Sequence, residues 1–343
     1  MVRSRNLSRR ALGLLAIGAL VMAVQAGYSR AQALERVTLN LNWFPVGDHA
    51  AYYVAKKLGL YERAGLDVNI VRGFGSADTV TRVDAGSAEF GIADAPTTIV
   101  GRGRGAKVKL IAMLFDLSPF TMWTTKSSGI KTLKDLEGRT VGVPAGDAQR
   151  VFFPAVAKSL GIDLSRVRFV NIKPEAKIAA LASGQVDATF DFITGLPLWR
   201  QALGDNYHYV RWADHGFDLY GNAIITTDRM IKDRPETVRR FLQASLAGWQ
   251  WTLMRPQEAI EVLREAHPSI DPVVYLENLQ LVIDLMYTPR FEQYGLGYMV
   301  PERMARNVEI VMAYIEDMRQ ISPADVYTNE FLTYYSLPPR AQR

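Results

Sequence analysis

The amino-acid sequence predicts a two-lobed α/β protein, each lobe a mostly parallel sheet flanked by helices, with two hinge crossings between the lobes. Short β-rich runs alternate with helical stretches from residue 37 onward, the texture of parallel α/β units. A second series of such units echoes the first after about 100 residues, which marks an internal repeat. With 48% hydrophobic and 22% charged residues, the 343-residue chain can bury a normal core.

In the first series, Val37–Trp43, Val68–Arg72, Phe90–Ala93 and Val108–Leu114 read as strands, and Ala50–Ala64, Ser76–Ala85 and Thr97–Arg104 as helices. The second series has strands at Thr140–Val143, Val167–Ile172, Ala188–Ile193 and Tyr207–Trp212. Beyond Trp212 the chain turns helical. Asn222–Thr226 reads as a strand returning to the first lobe, Arg234–Met254 as an amphipathic helix capped by Asp233, and Gln257–Ala266, Pro272–Met286 and Pro301–Met318 as further helices.

Four matches carry the repeat. Pro45-Val46-Gly47-Asp48 returns as Pro144-Ala145-Gly146-Asp147, and Ala55-Lys56-Lys57-Leu58-Gly59 as Ala157-Lys158-Ser159-Leu160-Gly161. Val68-Asn69-Ile70 returns as Val170-Asn171-Ile172, and the Gly86/Glu89 pair as Gly184/Asp187. Ligands of open α/β sheets sit beyond the carboxyl ends of the strands. Two facing lobes of one topology therefore frame a cleft lined by equivalent loops. The expected division is 34–122 plus 223–343 for lobe 1 and 123–222 for lobe 2, with crossings near Thr121–Thr125 and Tyr220–Ala223.

Residues 1–33 read separately, as a secretory signal. Arg3, Arg5, Arg9 and Arg10 precede the apolar run Ala11–Val24, and Ala31-Gln32-Ala33 is an A-x-A cleavage site. That run falls short of the roughly 18 residues of a membrane span. Ser8-Arg9-Arg10-Ala11-Leu12 resembles a twin-arginine motif, so export is by the Sec or the twin-arginine route. Without these residues Lys+Arg falls from 40 to 35 and equals the 35 Asp+Glu. No basic excess remains for nucleic acid. The chain has no cysteine, which excludes disulfides, thiolate metal sites, a Cys nucleophile and a lipidated N-terminal cysteine.

Catalytic signatures are missing. There is no G-x-S-x-G elbow, no P-loop and no H-E-x-x-H pair, and His208, His215 and His267 lack partners at metal-ligand spacing. Gly101-Arg102-Gly103-Arg104-Gly105-Ala106 follows a helix and precedes a strand, the reverse of a dinucleotide fingerprint. No catalytic residue, metal or cofactor is assigned.

The candidate ligand-binding residues sit at strand ends. Asn42 and Trp43 close the first strand just before Pro45 and Gly47, where an amide and a flat ring can orient and stack a planar ligand. The other reading is a turn residue and a core ring. His49 either hydrogen-bonds a ligand or sits in the first turn of the next helix. Arg72 can pair with a ligand carboxylate. Asp94, and Asp191 with Phe192, end corresponding strands, where either Asp can instead cap a helix. Ser118 and Phe120 precede the first crossing, Tyr220 marks the second, and Asp147 is the repeat partner of Asp48.

The segments Leu41-Asn42-Trp43-Phe44-Pro45, Asp48-His49-Ala50-Ala51-Tyr52-Tyr53-Val54-Ala55, Gly59-Leu60-Tyr61 and Gly65-Leu66-Asp67-Val68 together resemble the opening of the NMT1/THI5-like family. Lys131–Pro144, Ala179–Ala188 and Val326–Leu332 resemble its later segments, so the likeness spans nearly the whole chain after residue 33. The resemblance implies a type II-like periplasmic-binding-protein fold serving importers of thiamine pyrimidine precursors, other heteroaromatics, sulfonates or nitrate. The same fold includes enzymes that make the thiamine pyrimidine; they resemble this chain at Trp43 and His49 but carry a cysteine-rich motif absent here.

Asp48, Asp94, Asp147 and Asp191 lie where an anion binder would leave helix N–H groups free, which disfavours sulfonate and nitrate. The expectation is a periplasmic, monomeric, non-enzymatic protein. It captures a planar heteroaromatic or aromatic ligand and delivers it to an ABC permease with its ATPase at the inner membrane. The alternatives are a periplasmic enzyme of pyrimidine metabolism, an anion binder, and a sensor subunit.

Overall fold

The computed structural model describes residues 33–340, so the signal and its cleavage site at 1–33 lie, but for Ala33, outside the described residues. The strands are β1 (Glu35–Asn40), β2 (Leu66–Val71), β3 (Phe90–Asp94), β4 (Val108–Met113), β5 (Phe120–Thr124), β6 (Thr140–Gly142), β7 (Arg168–Val170), β8 (Ala188–Phe192), β9 (His208–Arg211) and β10 (Asn222–Thr227). They form two five-stranded sheets of orders β2-β1-β3-β10-β4 and β7-β6-β8-β5-β9. Position by position the orders are the same. In the fourth place each sheet holds its antiparallel strand: β10 runs against β3 and β4, and β5 against β8 and β9, whereas β1 pairs parallel with β3 and β6 with β7 and β8. The repeat in the sequence is thus a repeat of topology.

All residues of β3 and β10 are buried, as expected of inner strands covered by helices on both faces. Those helices begin with α1 (Ala50–Lys57), α2 (Leu60–Arg63), α3 (Ser76–Asp84) and α4 (Ala95–Gly103) in the first series. In the second come α5 (Ala148–Leu160), α6 (Lys177–Ala182) and α7 (Leu196–Leu203). The helical remainder is α8 (Asp228–Asp233), α9 (Pro235–Met254), α10 (Pro256–Ala266), α11 (Pro272–Met286), α12 (Pro289–Tyr294) and α13 (Pro301–Tyr314). The helix expected over Ala50–Ala64 breaks into α1 and α2 at Gly59, whose φ of 65° only glycine adopts without strain.

Three strand-level expectations are corrected. β1 ends at Asn40, not Trp43, because the backbone of residues 41–43 leaves β3 for the stretch after β2: Leu41 N donates to Val71 O, Gly73 N to Trp43 O and Gly75 N to Asn42 O. Residues Thr121–Thr124 are not a crossing but part of β5, a fully buried strand. The first crossing lies just upstream, over 114–119, and the second over 216–221, ahead of β10. The crossings run side by side: Gly221 N donates to Phe115 O, and Leu114 N and Phe115 N to Asn222 O. A Cβ on Gly221 would lie 2.8 Å from the Phe115 Cβ, so only glycine permits that approach.

The C-terminal helices complete the first core. α9 presses on α1 where Gly248 meets Ala51 O, a contact a Cβ would reduce to 2.5 Å. Phe241 of α9 stacks on Phe90 of β3 at 3.8 Å between centroids, and on Tyr61 of α2 at 5.6 Å. One aromatic column thereby joins sheet, α2 and α9. Phe241→Ala should cost about 3–5 kcal/mol of unfolding free energy, measured by urea denaturation; a loss under about 1 kcal/mol would show that the column is dispensable.

Candidate functional site

The loops that follow the parallel strands of the two sheets face one another across a narrow cleft, with about 100 Å³ open to the centre of a water-sized sphere. Asn42 to Asp48 enter it after β1, Gly75 and Ser76 after β2, Asp147 to Gln149 after β6, Pro174 to Ile178 after β7, and Asp191 to Leu198 after β8. Asn278 reaches in from α11. This is the position that the topology rule assigns to a ligand.

A buried ammonium organises the side belonging to the second sheet. Lys177 donates to Asp147 Oδ2 at 2.8 Å and to Phe190 O at 2.6 Å, and stands 4.0 Å from Asp191 Oδ1. The same nitrogen lies 4.4 Å from the centroid of the Trp43 ring, a cation–π contact that spans the cleft. Asp147 also caps α5, accepting from Gln149 N and Arg150 N. Asp191 accepts from Phe192 N at 2.9 Å and from Trp199 Nε1 at 3.2 Å. Burial raises Asp191 above the ordinary carboxylate range, with Lys177 pulling the other way.

The side belonging to the first sheet has no such cation. Asn42 donates to Asn222 Oδ1 at 3.1 Å, while its Oδ1 receives the Nε2–H of His49 at 3.0 Å. His49 Nδ1 accepts from Val46 N, and burial holds the ring neutral by lowering its pKa to about 3. Asp48 is buried next to that ring with its Oδ1 3.2 Å from Nδ1, and burial pushes its carboxyl up to about 7.

Of the residues singled out in the sequence, Asn42, Trp43, Asp147, Asp191 and Phe192 line the cleft; His49, Arg72, Asp94, Ser118, Phe120 and Tyr220 do not. His49 stands behind Asn42. Arg72 forms an ion pair with Glu175 at the mouth, its guanidinium over the rings of Phe74 and Phe44. Asp94 caps α4 through Thr97 N, and burial raises its pKa to about 6. Ser118 accepts from Phe120 N inside the crossing, and Phe120 is core, packed on Phe152, Phe192 and Trp212. Tyr220 accepts from Val300 N and lies under Arg303.

Lys177, Glu175, Phe44, Gln149, Thr194 and Asn278 were missed as lining residues. Asn278 carried one faint signal, an amide inside the apolar run of α11; nothing local marks Lys177. Among the described residues no group of three His, Cys, Asp or Glu is placed to hold a metal ion.

The NMT1/THI5-like family model matches residues 46–259, more than half of the chain. The chain belongs to this family. Relatives include the riboflavin-binding protein RibY of Chloroflexus aurantiacus, 26% identical over 87% of this chain and 86% of that one. The 4-amino-5-hydroxymethyl-2-methylpyrimidine phosphate synthase of Legionella pneumophila is 27% identical over 70% and 76%. A formylaminopyrimidine-binding protein of Halalkalibacterium halodurans is 25% identical over 75% and 80%. Among solved structures, a Bordetella bronchiseptica protein superposes with a TM-score of 0.75 at 18% identity, covering 88% of this chain and 96% of that one. The periplasmic aliphatic sulphonate binding protein SsuA of Escherichia coli superposes with 0.62 at 14% identity, covering 90% and 96%. Both likenesses establish the periplasmic-binding-protein fold expected from the sequence.

The raised pKa of Asp48 makes stability depend on pH. Its folded value lies above the unfolded one of 3.8, so the group's contribution is complete below about pH 4 and is lost as pH rises through about 7. The loss is roughly 1 kcal/mol per pH unit over that interval. Asp48→Asn, whose amide can donate to His49 Nδ1, should melt higher than the parent at pH 8 and close to it at pH 4. Parallel melting curves at the two pH values check this, and an unchanged difference would mean that Asp48 is ionised throughout.

Proposed function

We propose that this chain is an exported solute-binding protein that closes two lobes around a small planar heteroaromatic or aromatic compound and delivers it to an ABC import permease with its ATPase. The observation that carries the reading is the cleft itself: strand-end loops of two sheets of one topology, joined by paired crossings, enclose Trp43, Phe44 and Phe192 together with buried polar groups. We divide the lobes near Pro119 and Gly221, a few residues from the boundaries expected from sequence. The names of two relatives, for riboflavin and for formylaminopyrimidine, point to ring ligands.

The charge of the lining supports the same choice over a sulfonate or nitrate. Asp48, Asp147, Glu175 and Asp191 contribute four carboxyl groups, and the one lysine there is engaged by Asp147 and Phe190 O. Asp94 and Asp147 occupy the helix N-termini an anion would use. The relative named as a synthase makes an enzyme the competing reading. Recovery of a bound pyrimidine unchanged after long incubation supports capture; its conversion sinks it.

The first test is a melting-shift panel of riboflavin, 4-amino-5-hydroxymethyl-2-methylpyrimidine, aromatic acids and aromatic sulfonates, since a ligand of the folded state raises stability by RT ln(1 + [L]/Kd). No shift with any ring compound, or a shift with sulfonates alone, defeats the proposal. With a ligand in hand, Trp43→Ala should weaken binding about tenfold, from lost stacking and burial, and Trp43→Phe should keep most of it. Closure has its own test in Gly75. Ala77 N donates to Gly146 O across the cleft, and a Cβ on Gly75 would come within 2.0 Å of that oxygen. Gly75→Ala, which is strained as well by a φ of 126°, should lose affinity and the compaction that scattering detects on ligand addition, with its fold checked by circular dichroism; full affinity would show that the lobes need not meet there.

A further inference from the structure

Two buried oxygens of residues lining the cleft have no hydrogen-bond partner among the described residues, Oδ1 of Asp48 and Oδ1 of Asn278. Both residues line the cleft, and their exposures are 5% and 3%. Asn278 Oδ1 packs against the glycine that precedes Asp48 in the chain: a Cβ on Gly47 would lie 2.5 Å from it. Asn278 is held with its oxygen unmatched, because its Nδ2 is committed to Thr194 O at 2.6 Å. Asp48 finds no proton in His49, whose Nδ1 accepts from Val46 N and whose Nε2–H points to Asn42. Buried acceptors without donors are costly, and the cost is recovered when a ligand supplies the missing N–H groups.

We propose that Asp48 and Asn278 form the specificity end of the cleft, accepting hydrogen bonds from an N–H-bearing edge of a planar ring that lies against Trp43. The assignment rests on the capture reading above and names the ligand chemistry it requires. A ring edge that offers donors fits; one that offers only carbonyls or methyl groups leaves both oxygens unpaired, and an anionic edge meets a carboxyl group. Lys177 does not alter this, because Asp147 and Phe190 O hold its ammonium on the opposite wall. The donor can be the exocyclic amine of an aminopyrimidine or the ring N–H of a flavin, and paired probes separate these sources.

The experiment is calorimetric titration of the chain lacking residues 1–33, and of its Asp48→Leu variant, with four compounds. These are 4-amino-5-hydroxymethyl-2-methylpyrimidine, the same ring with methyl in place of the 4-amino group, riboflavin, and N3-methylriboflavin. In the parent, one donor-bearing probe should bind at least about tenfold tighter than its methyl counterpart, which leaves a buried acceptor unpaired. In Asp48→Leu that preference should shrink to about twofold; Asp48→Asn, which keeps the side-chain shape, should fall between them and guards against misfolding of the Leu variant. Equal affinities within both pairs, or a preference that survives Asp48→Leu, overturn the assignment and leave capture standing. Failure of all four compounds to bind also overturns it, whereas capture itself falls only if the wider melting panel is negative.

Discussion

Each sheet is completed by a strand that arrives from the other half of the molecule, and this exchange constrains everything else. β5 enters the second sheet as the chain leaves the first, and β10 enters the first as it leaves the second, so each is antiparallel to its neighbours. The two segments that make these journeys must lie side by side. Gly221 and Phe115 hold them in contact through a backbone hydrogen bond and an approach too close for a side chain. A double crossing permits rotation of one sheet about the other while blocking independent drift, the requirement for hinge closure. It also turns the carboxyl ends of the parallel strands toward one another.

Those strand ends carry acidic residues in both halves, and their different fates show how environment sets chemistry. Asp147 has a cation at 2.8 Å and two backbone N–H donors. Asp48 comes from the equivalent Pro-x-Gly-Asp turn but meets a neutral imidazole, and burial without a cation carries its pKa to about 7. The duplicated turn thus supplies one carboxyl paired with a cation and one without to the same cleft. The asymmetry comes from a single side chain, Lys177, which has no counterpart beside Asp48.

Much of this was legible in the sequence, because strand periodicity, the duplicated turns and the helix starts are local. The repeat gave the shared topology, and nine of the ten strands were read close to where they lie. β5 was missed since its Phe-Thr-Met-Trp-Thr segment follows Pro119 and stood where a hinge was expected; only pairing with β8 and β9 makes it a strand. The cleft was half legible. Asn42, Trp43, Asp147, Asp191 and Phe192 follow from strand ends, but Asn278 reaches the cleft through tertiary packing of α11, and Arg72 left it for Glu175 for the same reason. Residues brought in by folding over long sequence distances leave no local pattern.

The ion pairs and hydrogen bonds that join the lobes are individually weak, and that bears on how closure is driven. Arg72–Glu175, Arg200–Glu277 and Lys158–Glu316 bridge the two halves, yet all three pairs are half-exposed and each contributes about 0–1 kcal/mol, less in salt. The hydrogen bonds from Ala77 N to Gly146 O and from Asn278 to Thr194 O add little net stability, since water satisfies the same groups when the cleft opens. Against them stands the burial of Asp48 and Asn278 oxygens without partners. On the capture reading proposed above, a ligand shifts an open–closed equilibrium only by its differential affinity for the closed form. Stacking on Trp43 is available to a ligand resting on the first lobe alone, whereas contact with Phe192 and the Asp147–Lys177–Asp191 wall exists only after closure. The part of the binding energy that drives the motion must then come from the second lobe, while the first provides initial recognition.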